Sequence, residues 1–217
     1  MIKAVVFDMD GVLSDTEPYH KFVRDELLKE FGVFSEELSL SALGKGLEAY
    51  WQSVIKKFNL NADAKKLTDD TFLRLADLAF SVPFKPMDGL TELLKGLKKR
   101  GYKIGVASSS LKVMVYAVLK AIGVETFVDA VVCGDEVKDV KPAPYVYAEA
   151  LKRLKVLPDE AVAVEDSHTG AKGAINAGIK TVIAYAPDGA LSGNENMDIC
   201  AFKVSDLREI LNVVQKL

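Results

Sequence analysis

The sequence predicts an α/β fold: a parallel sheet with helices on both faces, interrupted by an inserted all-α helical cap. Three observations predict it. Short apolar runs rich in Val, Ile and Ala recur along the chain, helical patterns alternate with the later runs, and one long early stretch carries helical patterns alone.

The apolar runs span 2–7, 103–107, 130–133, 161–164 and 180–184. Each lacks polar alternation and fits a strand covered on both faces. Between them, Leu90, Leu93, Leu94 and Leu97 repeat at helical spacing, with Asp88 placed to cap the start and Gly101 to end the helix. Lys98, Lys99 and Arg100 then fall in its last turn, where the helix dipole favours cations. Further helices are expected over 111–122, ended by Gly123, and over 144–154, 169–177 and 206–215. The segment from Asp188 to Asn196, rich in Gly and Asn, reads as a surface loop.

Residues 18–80 break the alternation, with helical patterns at 18–31, ended by Gly32, and at 63–80. Turn-prone segments bound this stretch: Asp15-Thr16-Glu17-Pro18 before it and Ser81-Val82-Pro83-Phe84-Lys85-Pro86 after it. The expected division is a catalytic core of residues 1–15 and 82–217 and a helical cap of residues 16–81. With 217 residues, 49% of them hydrophobic, the chain can bury a core without staples. Cys133 and Cys200 lie far apart among apolar neighbours, which argues for packing over a disulfide or a zinc site. A net charge of −3 offers no broad basic surface for nucleic acid. No apolar run approaches the ~18 residues that a membrane span needs, and no leader is apparent. The expectation is a cytoplasmic monomer that acts on a small molecule.

In open α/β sheets, ligands bind beyond the carboxyl ends of the strands, so the polar residues there carry the chemistry. After the first run come Asp8 and Asp10, in Phe-Asp-Met-Asp-Gly, and after the second Ser108, Ser109 and Ser110. Glu165 and Asp166 follow the fourth, and Lys141 stands before a proline-initiated helix. A pocket with these carboxylates, hydroxyls and one lysine can hold a divalent cation and a phosphate together. One aspartate of the first pair can attack phosphorus while the other manages protons, provided that its pKa rises towards working pH. Glu165 and Asp166, with Asp8 and a main-chain carbonyl near Asp10, can complete an oxygen shell for Mg2+. Each residue has a plainer reading as well: an acidic turn, a helix cap at Asp166 or Ser167, a surface lysine, or a hydroxyl starting a turn. Their joint order along the chain favours the pocket.

These four segments resemble the four motifs of the haloacid dehalogenase-like superfamily, and nearly the whole chain is similar to its beta-phosphoglucomutase-like branch. The resemblance implies a Rossmann-like core, Asp8 as nucleophile and Asp10 as acid and base. It implies phosphate binding by Ser108, Ser109 and Lys141, and a Mg2+ site of Asp8, Asp10, Glu165 and Asp166. The implied activity is hydrolysis of small phosphorylated metabolites, with a mutase as the rival enzyme and a phospho-accepting signalling domain as the non-enzymatic rival. In the cap, the resemblance points to His20 and Lys45 near the substrate. Leu111 stands where beta-phosphoglucomutase has a lysine, so the second phosphate site of a mutase looks weakened, with Lys112 or Arg74 as possible substitutes. Tyr50 and Trp51 could stack on a sugar or pack the cap interior.

Overall fold

The structure, a computed structural model, describes residues 1–42, 46–187 and 197–217. Among these, β1 (Ala4–Phe7), β2 (Lys103–Ala107), β3 (Ala130–Val132), β4 (Ala161–Glu165), β5 (Thr181–Tyr185) and β6 (Phe202–Val204) form one sheet. The strand order is β3-β2-β1-β4-β5-β6, and every neighbouring pair is parallel. The register sets Phe7 beside Val106 and Val164. The residues that follow β1, β2 and β4 therefore leave the sheet side by side, where the strand order reverses and a crevice opens.

Alternation along the buried strands sorts side chains to two faces. Val5, Phe7, Ile104, Val106, Val162 and Val164 join one core cluster with helices α5 (Leu90–Lys99), α6 (Lys112–Ala121) and α9 (Arg208–Gln215). Ala4, Val6, Ala161, Ala163 and Val182 join the other with α7 (Tyr145–Leu154) and α8 (His168–Asn176). The leucine stripe of α5 is wholly inside, with Leu90, Leu93, Leu94 and Leu97 at most 1% exposed. Each such side chain stabilises the fold by roughly 1.5–3 kcal/mol through burial.

Two local expectations change. The residue that starts α5 is Gly89, at a φ of 76°, a left-handed conformation suited to glycine. Asp88 consequently turns away and accepts a hydrogen bond from Arg208 at 2.7 Å. A sixth strand, β6, was absent from the pattern because Phe-Lys-Val is short and two of its three residues are exposed; it pairs only at the sheet edge, with β5. The loop expected over 188–196 lies outside the described residues. Cys133 and Cys200 are free thiols. No helix of the described residues is long and apolar enough to cross a membrane.

Four helices separate β1 from the rest of the sheet: α1 (Glu17–Glu30), α2 (Glu36–Leu40), α3 (Leu47–Phe58) and α4 (Ala64–Ser81). Their interior holds Leu27, Leu28, Tyr50, Trp51 and Leu75, all at most 1% exposed. The Trp51 indole donates to Thr71 Oγ1 at 3.2 Å and the Tyr50 hydroxyl to the Leu38 carbonyl at 3.3 Å. Both aromatic residues thus serve packing, and neither is presented to a sugar. The insert rests on the core through α4, which packs along α6. Its two connections run close together: Ser14 Oγ donates to the Lys85 carbonyl at 2.9 Å, and Met87 N–H to the Leu13 carbonyl at 2.9 Å.

Candidate active site

Asp8 extends β1 by one residue, since its N–H donates to the Val164 carbonyl at 3.0 Å and continues the ladder. The chain then turns at Gly11, whose φ is 77°. A Cβ there would lie 2.0 Å from Asp166 Oδ2, so glycine serves both the turn and the approach of Asp166. Ser108 likewise extends β2, its N–H donating to the Val132 carbonyl at 3.0 Å, and its buried Oγ accepts from the Ser110 N–H at 3.0 Å. Ser109 is half-buried beside it.

Lys141 joins the two aspartate and glutamate strands. Its Nζ donates to Asp8 Oδ1 at 2.5 Å and to Glu165 Oε1 at 2.7 Å, and its side chain is 6% exposed. Burial alone would lower the lysine pKa, but the adjacent Asp8 and Glu165 outweigh it and raise it, so Lys141 stays charged. The Tyr147 hydroxyl also donates to Glu165 Oε1, at 2.6 Å, and the lysine cation stands 5.0 Å from the Tyr147 ring centroid. Burial, then the charge of Glu165, pushes the Tyr147 phenol well up and keeps it a donor. Glu165 is fully buried and fits because residue 170 is glycine. Ser167 caps α8 by accepting from the Gly170 N–H at 3.1 Å, so that role falls to Ser167 rather than to Asp166.

Asp10 faces a different set of groups. Oδ1 accepts from Thr16 Oγ1 at 2.6 Å, Oδ2 accepts from Ser110 Oγ at 2.9 Å, and His20 Nε2 stands 3.6 Å from Oδ1. Burial pushes this carboxyl up, yet His20, Thr16 and Ser110 together outweigh burial and hold it below the usual carboxylate range. This direction is opposite to the rise expected of the aspartate that manages protons. Asp8 differs. Burial pushes it up, Lys141 opposes, and the charges of Glu165, Asp166 and Asp10 complete a rise well above its ordinary value.

Oxygens of Asp8, Glu165 and Asp166 lie within 4.8 Å of one another. Three carboxylates gathered in so small a space suit a divalent oxygen-bound cation. The Asp10 carboxylate is taken up by Thr16, Ser110 and His20, which leaves its main-chain carbonyl as the donor expected of that segment. Lys45 lies outside the described residues. Arg74 is bound to Glu30 by two hydrogen bonds, of 2.6 and 3.0 Å, and Lys112 Nζ stands 3.8 Å from Glu136 and 5.8 Å from the Tyr116 ring centroid. Sequence reasoning gave no role to Thr16 or Tyr147, and it named Ser110 only among the pocket hydroxyls, without its contact to Asp10. The signals were slight: Thr16 and Ser110 are hydroxyls on loops that face Asp10 only once the sheet forms, and Tyr147 lies in the first turn of α7, on the far side of a turn from Lys141.

Comparison with known proteins agrees with this geometry. The family model described as haloacid dehalogenase-like hydrolase matches residues 5–184. A phosphorylated carbohydrates phosphatase of Thermotoga maritima is 30% identical over 221 residues, with 99% of each chain covered. A glyceraldehyde 3-phosphate phosphatase of Methanopyrus kandleri is 30% identical over 231 residues, covering 100% of this chain and 99% of the relative. Among solved structures, CbbY from Rhodobacter sphaeroides in complex with phosphate superimposes with a TM-score of 0.80 at 25% identity, covering 97% of this chain and 96% of its own. With its motifs on adjoining strand ends and a family match across most of its length, this chain belongs to the haloacid dehalogenase-like hydrolases.

Proposed function

We propose that the chain is a Mg2+-dependent phosphatase of small phosphorylated metabolites, in which Asp8 is the nucleophile. The observation that carries this reading is the Asp8–Lys141–Glu165 bridge, with Asp10 set apart among its own donors. Two neighbouring aspartates in different surroundings suit two different tasks. The names of the two relatives above, both phosphatases of phosphorylated carbohydrates or a triose phosphate, favour sugar phosphates as the substrate class.

In the first half-reaction an Asp8 oxygen attacks phosphorus, and the bond from phosphorus to the ester oxygen breaks. Lys141 offsets charge on Asp8 and on the transferring group, while the Ser108 and Ser109 loop lies where hydroxyl and N–H groups can bind phosphate oxygens. Asp8, Glu165 and Asp166 would hold the divalent cation, which when bound would supply the charge neutralisation a carboxylate needs to approach a phosphate dianion. Asp10 protonates the leaving oxygen. The incoming phosphate dianion is a like charge and pushes the Asp10 carboxyl back up, so substrate itself promotes the acid form. In the second half-reaction Asp10, again a carboxylate, takes a proton from water as that water attacks the aspartyl-phosphate.

We further infer that residues 16–81 act as a cap that excludes bulk water during the transfer, which the α4 contact with α6 and the adjacent connections at Ser14 and Lys85 support. A mutase must also bind a second phosphate while its intermediate turns over. Leu111, and the engagement of Arg74 and Lys112 elsewhere, leave these positions without the contacts that would hold a bisphosphorylated intermediate as it reorients, which favours hydrolysis.

The test is phosphate release from a metabolite panel with magnesium and with chelator, alongside Asp8→Asn. Turnover is expected with magnesium only and is expected to vanish in Asp8→Asn, since an amide cannot form the acyl phosphate. Full activity in chelator, or substantial turnover by a variant shown free of deamidation, refutes the reading. With beta-glucose phosphate and a bisphosphate activator, isomerisation outpacing phosphate release by about tenfold or more would assign the chain to the mutases instead.

A further inference from the structure

Resting on the phosphatase reading, we propose that Arg24 sets substrate specificity: its guanidinium binds a second anionic group, carboxylate or phosphate, on the ester whose phosphoryl goes to Asp8. Arg24 lies four residues beyond His20 on α1, hence on the same helix face, and His20 Nε2 stands 3.6 Å from Asp10. The arginine head reaches back along the helix, and its Nη2 donates to Glu17 Oε1 at 2.8 Å. The guanidinium is therefore carried from residue 24 towards residue 17, alongside His20 and not away from it.

Its environment is unusual for an arginine. The side chain is 4% exposed, whereas that of Glu17 is 50% exposed. Arg24 Nε is buried with no hydrogen-bond partner among the described residues. A guanidinium presents its donors as a planar fork, and one left buried with an unused N–H is poorly compensated until a planar or tetrahedral anion meets it. Apart from Glu17, which engages Nη2 alone, the neighbouring groups do not supply that anion. The Tyr50 ring centroid lies 6.0 Å from the guanidinium carbon, and burial pushes the Tyr50 phenol up to about 12, so it stays neutral. The Asp25 carboxylate is hydrogen-bonded to Lys21 and Ser39. Glu17 shows that a carboxylate oxygen fits one edge of the fork, and being half exposed it can give way to a ligand. Arg74, Lys21 and Lys29 are each paired with carboxylates on the surface of the insert, so none of them is set up as Arg24 is.

The experiment compares kcat/KM, with magnesium, within two substrate pairs: glycolate phosphate against hydroxyethyl phosphate, and propanediol bisphosphate against propanediol monophosphate. Nitrophenyl phosphate reports turnover as such. The wild type should prefer the anionic member of at least one pair by roughly thirtyfold, and Arg24→Gln should remove that preference mainly through KM. A response in one pair identifies the anion as carboxylate or as phosphate, and a response in both shows that either is accepted. Glu17→Gln, which frees the fork, should strengthen the preference, and it decides the matter with the wild type if Arg24→Gln does not fold. Absence of any preference in a wild type that turns over nitrophenyl phosphate overturns the proposal. So does a loss in Arg24→Gln that is equal on neutral and anionic members. Failure to turn over any ester would instead overturn the phosphatase reading.

Discussion

Replacing Gly170 by alanine sets two effects against each other. In a helix interior the change ordinarily stabilises by about 1 kcal/mol, because alanine restricts the unfolded chain and favours the helix. Here the new Cβ would stand 2.1 Å from both Glu165 oxygens and 2.2 Å from its Cδ, well inside the 3.0 Å that real Cβ contacts respect. The carboxylate would have to retreat by about 1 Å, and it cannot do so freely. It is fully buried and accepts from Lys141 at 2.7 Å and from Tyr147 at 2.6 Å. A shift of that size stretches both bonds beyond useful length. Each is charge-assisted and worth about 1.5–3 kcal/mol, so the net effect after the helix gain is a loss of about 2–5 kcal/mol. For a chain of this size that corresponds to a fall in Tm of about 10 °C. Thermal unfolding measures the first consequence. Phosphate release at a temperature well below the transition measures the second, a rate at least about tenfold down as Lys141 loses its alignment on Asp8. A variant more stable than the parent and equally active would show that Glu165 has room the structure denies it, and would remove it as an anchor of Lys141.

Two further predictions follow from charge. Lys141→Ala should lose about 2–4 kcal/mol of transition-state stabilisation, and it should also lower stability because Asp8 and Glu165 are left buried without their cation; a rate within tenfold of the parent would make Lys141 a structural residue. Asp25 is pushed up by burial, but hydrogen bonds from Lys21 and Ser39 outweigh this and depress its pKa. Its contribution is therefore present above the unfolded value of about 3.9 and lost as pH falls through the folded one. The stability gap between wild type and Asp25→Asn should narrow as pH falls from about 5 to 2, and a gap constant across that range would contradict the assignment.

Much of this was legible in the residues because the site is built on strand ends. Strands buried on both faces read as apolar runs, so the break from Phe7 to Asp8, or from Val164 to Glu165, marks the last residue before the chain leaves the sheet. Lys141 carries no such marker, and it was placed by its proline neighbours and by the resemblance. What escaped were contacts that exist only across the fold. Ser110 meets Asp10 over a separation of 100 residues, and Tyr147, on α7, meets Glu165 at the end of β4. β6 escaped for a local reason, since an edge strand with an exposed lysine lacks the apolar run. The direction of the Asp10 shift was illegible too, because it is set by which donors surround the carboxylate, and two of those, Thr16 and His20, come from the start of the insert.

The order in which these strands leave the ribosome has its own consequence. β1 ends at Phe7, but its two partners begin only at Lys103 and Ala161. At roughly 5–20 residues per second, the nascent Ala-Val-Val-Phe segment waits on the order of 10 s before both of its edges can be hydrogen-bonded. During that interval α1 to α4, whose contacts are close in sequence, can fold first. The strand that leads to Asp8 is thus among the earliest synthesised and the latest secured. Changes that slow the closing of β4 onto β1 would prolong its exposure as an unpaired apolar edge, and their cost would be seen in the yield of soluble protein even where the finished molecule is as stable as before.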